Sequence, residues 1–186
     1  MSLSFRIPLP NTHKAMKKFQ EFNFIQSLPE QDAQGLLMGI GDDAAVFEGQ
    51  HSWIISSDSM AEGSHFLSED EPEDIGKKLV SISLSDMAAM ACQPRFFLLQ
   101  LHIGTTWQSE EKLSKLKKGI LDQLKSFDVA LIGGDTICTP EAGLQLSGTI
   151  LGSPFSFASV ARSGAREGDV IAVTGNLGGS FPHRHL

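Results

Sequence analysis

The chain has 186 residues, with 15 basic and 22 acidic side chains, a net charge of −7, and 41% hydrophobic against 20% charged residues. That is an ordinary globular balance, long enough for one domain with a real core. The acidic excess argues against a nucleic-acid-binding protein, whose binding face is basic. No apolar run approaches the roughly 20 residues needed to cross a bilayer. Anionic phosphates stay within reach, because cations held by carboxylates can carry them. Cys92 and Cys138 lack metal-ligand spacing and read as reduced thiols of a cytoplasmic chain.

In chain order, "HKAMKKFQEFNFIQS" (13–27) carries Met16, Phe19, Phe22 and Ile25 at three-residue steps, which predicts a short amphipathic helix. "LPEQDAQGLLMGIG" then reads as a polar, glycine-containing loop. Residues 44–47 and 52–58 predict two strands around the turn "EGQH". An acidic loop (63–74) leads to Pro72, Glu73 and Asp74, a favourable helix start. The helix predicted over 73–91 places Ile75, Leu79, Ile82 and Met90 towards one face. "RFFLLQLHIG" (95–104) predicts a buried strand. "SEEKLSKLKKGILDQLKSF" (109–127) is the clearest amphipathic helix, with Leu113, Leu116, Ile120 and Leu124 on one stripe and Ser109 as its cap. "VALIGG" predicts a short strand, "GLQLSGTILGS" an alternating antiparallel one, and "DVIAVTG" a last strand. Hairpins together with helices predict an α+β fold: a mixed, mainly antiparallel sheet with helices on one face.

Carboxylates gather at small-residue positions. "GIGDDAAVF" holds Asp42 and Asp43, "SSDS" puts Asp58 at a strand end, "SLSDMAAM" puts Asp86 on an apolar helix, and "IGGDT" puts Asp135 after a strand. Taken singly, Asp43, Asp58 and Asp135 read more readily as turn or cap residues than as functional ones. Asp86 does not, because a carboxylate among Leu84, Met87 and Met90 needs a cation or takes up a proton. Oxygen ligands without cysteine or paired histidine suit Mg²⁺, which shares its shell with phosphate oxygens. Gly133 and Gly134 beside Asp135 let backbone N–H groups face a phosphate. No Walker A loop or kinase-type motif set is present.

Five segments in order, "GIGDDAAVF", "SSDSMAEGSHF", "SLSDMAAM", "LIGGDT" and "ARSGAREGDVIAVTGNLG", resemble the N-terminal domain of the thiamine-monophosphate kinases. These belong to the superfamily of aminoimidazole ribonucleotide synthetase and selenophosphate synthetase. The resemblance implies ATP- and Mg²⁺-dependent phosphorylation of thiamine monophosphate to thiamine diphosphate by direct transfer. It implies metal ligation by Asp43, Ser56, Ser57, Asp58, Asp86 and Asp135, and ATP contacts from Gly134, Asp135 and Arg162. His65 is implied on thiamine monophosphate. It also implies a homodimer whose sheets join into a barrel.

On this reading residues 1–38 are an N-terminal helix and loop, and 39–153 the ATP/Mg-binding dimerisation domain. Residues 154–186 are a linker and the start of a truncated second α/β domain. Ser57 stands where the family usually has threonine, which keeps the hydroxyl. Two alternatives stay open. One is another ATP-using synthetase of the superfamily. The other is a nucleotide-binding or dimerisation fragment without turnover.

Overall fold

Period-two alternation of buried and exposed residues builds the sheet, and the two helical stripes cover one of its faces. The computed structural model describes residues 36–38, 44–47, 52–156, 159–173 and 175. Its elements are β1 (Leu36–Met38), β2 (Ala45–Phe47), β3 (Trp53–Ala61), α1 (Pro72–Ala89), β4 (Cys92–Ile103), a 3₁₀ turn (Thr105–Trp107), α2 (Glu110–Ser126), β5 (Ala130–Cys138) and β6 (Leu144–Pro154). The strands form one sheet in the order β1-β2-β3-β6-β4-β5. All neighbours are antiparallel except β4 and β5. The mixed, mainly antiparallel sheet is therefore the one the alternation predicts.

On β3, Ile54, Ser56 and Met60 are buried while Ser57 and Ser59 are exposed. On β6, Leu144, Leu146 and Ile150 are buried on the same face. Phe97 and Ile103 continue it on β4. Against this face α1 lays Ile75, Leu79, Val80, Leu84 and Met87. Each such side chain contributes about 1.5–3 kcal/mol when fully removed from water. The second helix packs mainly on the first. Gly76 and Gly119 make that possible, since a Cβ on Gly119 would lie 1.9 Å from the Glu73 carbonyl oxygen. Outside the crossing, Lys118 bridges Glu73 and Asp122.

Several boundaries differ from the sequence expectation. A strand, β1, stands where a polar loop was expected, because Leu36 and Met38 find a partner in β2. The β3 strand runs on to Ala61, held by continuous pairing with β6, so Asp58 is mid-strand and not at an end. Pairing with β4 likewise carries β5 through Cys138, which puts Asp135 inside the strand. β4 begins earlier, at Cys92, and a register shift between Pro94 and Phe96 absorbs the proline. Ser109 occupies the N-cap position of α2, but its side chain makes no capping bond. Residues 169–173, expected as a strand, have no sheet partner, and Val170 and Ile171 are 89% and 96% exposed. The predicted helix over 13–27 and the Asp42–Asp43 pair lie outside the described residues. No described helix is long and apolar enough to cross a membrane.

Candidate functional site

The middle of β3 faces the last turns of α1, and this meeting defines the site. Alternation along β3 sends Ser56 and Asp58 towards the helices. The helical period sends Ser83 and Asp86 back towards the sheet. Ser56 Oγ donates to Asp86 Oδ2. Asp58 Oδ2 is buried and has no hydrogen-bond partner among the described residues. Ser83 is fully buried, with its hydroxyl donating to the Leu79 carbonyl at 3.3 Å.

Burial, and then the neighbouring Asp86 charge, push the Asp58 carboxyl above its ordinary range, with the Ser83 hydroxyl opposing them. The described ion pairs lie elsewhere, on the outer sides of α1 and α2. Among the described residues, two carboxylates and a hydroxyl thus converge with no cationic side chain acting on Asp58. An all-oxygen set with an orphaned oxygen fits a hard divalent cation such as Mg²⁺. Among the described residues no three His, Cys, Asp or Glu side chains converge.

The other implied residues are dispersed. Ser57 points to the opposite face of the sheet, its Oγ 2.9 Å from Thr149 Oγ1. Asp135 lies on β5, with β6 and β4 between it and β3. Three strand spacings put it roughly 14 Å from Asp58. Its Oδ1 accepts from the Thr136 N–H at 2.9 Å. Gly134 sits beside Leu99, and a Cβ there would fall 1.8 Å from the Leu99 carbonyl oxygen, so only glycine fits. His65 is exposed in the turn after β3, and Arg162 is exposed beyond β6. Asp43 lies outside the described residues.

An apolar cavity of about 750 Å³ opens between α2 and the β4–β5 ribs, lined by Leu99, Leu101, Ile103, Leu113, Ile120 and Leu131 among others. Its wall includes the residue paired with Gly134. The sequence reading passed over this cavity and three residues, Ser83, Lys78 and Trp107. Ser83 was legible in principle, one helical turn before Asp86. The other two act through contacts distant in sequence, Lys78 on the His65 carbonyl and Trp107 on Glu62.

Residues 41–153 match the N-terminal domain of AIR synthase related protein, and the chain belongs to that family. Similar proteins include thiamine-monophosphate kinases. That of Bacillus subtilis is 34% identical over 165 residues, covering 86% of this chain and 50% of its own length. That of Methanopyrus kandleri is 34% identical over 179 residues, covering 96% and 55%. Among solved structures, AaThiL complexed with AMPPCP and TMP superposes with a TM-score of 0.63 at 26% identity, covering 68% of this chain and 40% of that one. The chain spans about half the length of the curated relatives it matches.

Proposed function

We propose that this chain takes part in ATP- and Mg²⁺-dependent phosphorylation of thiamine monophosphate to thiamine diphosphate, in the cytoplasm, by direct phosphoryl transfer. The observation that carries the reading is the buried, unpartnered Asp58 oxygen beside Asp86 and Ser56. It is supported by the kinase relatives and by the AaThiL complex with AMPPCP and TMP.

Asp58, Asp86 and Ser56 would hold Mg²⁺, which supplies charge neutralisation between two phosphate-bearing reactants. Asp43, Ser57 and Asp135 are assigned as further ligands. Gly134 brings its backbone to the ATP phosphates, and Arg162 adds a charge-assisted contact. The apolar cavity next to Gly134 is wide enough for a purine base. His65 meets thiamine monophosphate. No general base is assigned, because the acceptor phosphate is already ionised near neutral pH, its second pKa being about 6.

The working unit we propose is a homodimer. Edge-to-edge pairing of two sheets covers the open β5 strand, where Leu131, Ile132 and Ile137 are 42%, 54% and 45% exposed. It also gives one copy's Asp135 a route to the other copy's Asp58–Asp86 pair, which a single chain keeps apart.

The test incubates the 186-residue chain with ATP, Mg²⁺ and thiamine monophosphate, and assays thiamine diphosphate by chromatography alongside calorimetric titration with Mg·ATP. Product that vanishes in Asp58→Asn supports the reading. No product and no Mg²⁺-dependent ATP binding overturns it.

A further inference from the structure

The turn that carries His65 is built more firmly than an exposed loop requires. Gly63, at φ +80°, donates its N–H to the Phe66 carbonyl at 2.8 Å, and the His65 N–H donates to the Ala61 carbonyl at 3.0 Å. From one side the indole N–H of Trp107 donates to Glu62 Oε2 at 2.6 Å. Phe66 meets the same ring edge-on, at 6.2 Å and 89°, and Lys112 stands 5.0 Å above it. These contacts anchor the two ends of the turn.

The centre is held from the other side. Lys78 Nζ, on α1, donates to the His65 carbonyl at 2.5 Å. Its neighbour Lys77 takes the ordinary course for a surface lysine in an acidic chain and pairs with Glu73 and Asp74. Among the described residues Lys78 joins no ion pair, although acidic groups outnumber basic ones. A charged donor spent on one carbonyl makes a stronger bond than a neutral one and fixes the peptide plane that carries the histidine.

The imidazole is fixed as well. His65 Nδ1 accepts the Ala61 N–H at 3.1 Å, so in the neutral ring the proton resides on Nε2. Nδ1 is taken by the Ala61 N–H, and on this exposed residue Nε2–H has no partner among the described residues. His65 is thereby a donor of set direction. It lies past the end of β3, and the three strand residues from Asp58 to Ala61 span about 10 Å. A donor at that distance from a carboxylate pair suits an elongated, phosphate-bearing acceptor better than a compact anion.

We propose that Lys78 is a positioning residue: it clamps the His65 turn so that His65 Nε2–H is presented to the acceptor substrate. The inference rests on the His65 role proposed above. It assigns Lys78 no contact with the reacting atoms. α1 then serves two parts of the site, the metal pair through Asp86 and the acceptor turn through Lys78, two helical turns apart.

The test uses the full chain and two variants, Lys78→Met and Lys78→Arg. Long-range ¹⁵N spectra of the imidazoles, assigned with His65→Gln, report the tautomer of the neutral His65 ring. Titration with thiamine monophosphate in the presence of Mg²⁺ reports affinity. The wild type is expected to show the Nε2–H signature. Lys78→Met is expected to average the two tautomers and weaken thiamine monophosphate binding about tenfold, the scale of one lost supporting hydrogen bond. Lys78→Arg is expected to restore both, and Mg·ATP binding is expected to be the same in all three. A Lys78→Met protein with wild-type tautomer signature and affinity overturns the proposal. Should the wild type bind no thiamine monophosphate, the acceptor assignment falls with the function. The imidazole spectra then still decide whether Lys78 sets the turn.

Discussion

Asp58→Asn is the perturbation that separates a functional carboxylate from a structural one. Burial and the Asp86 charge raise the native Asp58 pKa above its ordinary 3.8. The folded protein therefore holds this proton better than the unfolded chain does. The stability tied to the neutral acid is complete below the unfolded value and is lost as pH rises through the raised native one. Once ionised, the carboxylate is carried by the metal-free protein at a cost. An unsatisfied buried polar atom costs about 1–3 kcal/mol, and the low end applies because the rest of this side chain meets solvent. Asn removes the charge and the repulsion, and its amide can donate to Asp86. Metal-free Asp58→Asn should therefore be about 1 kcal/mol more stable at pH 7, a Tm rise of roughly 2–4 °C for a chain of this size. The gain should shrink on acidification towards the unfolded carboxyl value. Added Mg²⁺ should raise the Tm of the wild type and leave the variant unmoved. Differential scanning calorimetry with and without Mg²⁺, at several pH values, reads all three. A variant that melts below the wild type in the absence of metal would refute the reasoning, since Asp58 would then be a stabilising group with a partner.

Gly119→Ala forces a methyl group against the Glu73 carbonyl at the helix crossing, and should destabilise by about 2 kcal/mol in urea titration despite alanine's better helix propensity. A neutral result would mean that the helices are not this close. Glu73 is held down to about 2 by Lys77 and Lys118, so its contribution is present above the ordinary carboxyl range and lost as pH falls towards 2. The wild type and Glu73→Gln should accordingly differ at pH 7 and converge on acidification or in high salt, where exposed pairs are screened. Leu131→Arg places a charge at the mouth of the apolar cavity from an exposed position. It should weaken Mg·ATP binding about tenfold in calorimetric titration, if the cavity takes the base.

Much of the fold was legible because it is written locally. The stripe of Leu116, Ile120 and Leu124 specifies α2, and the alternation of β6 specifies a half-buried strand. Strand ends were not legible, because pairing partners set them. Nothing around Ser59 or Thr136 announces that β3 and β5 continue, and the register with β6 and β4 carries them on. The short β1 strand was missed for the same reason. In the site, Asp86 stood out as a carboxylate in an apolar helix, whereas Asp58, read at a strand end, was marked only by the family resemblance. The bond from Ser56 to Asp86, which brings the helix carboxylate to the strand, links residues 30 apart in sequence and has no local signal.

The sequence alone carried the residue types of the site, the net acidic charge, the amphipathic helices and the order of segments that marks the family. Only the tertiary structure decided which side of the sheet each residue takes. One residue of shift moves a strand side chain to the other face, so Ser56 joins Asp86 while Ser57 meets Thr149. Strand order did the rest. It set Asp58 and Asp135 three strands apart, and crossing β6 and β4 is a matter of topology that no spacing in the chain encodes.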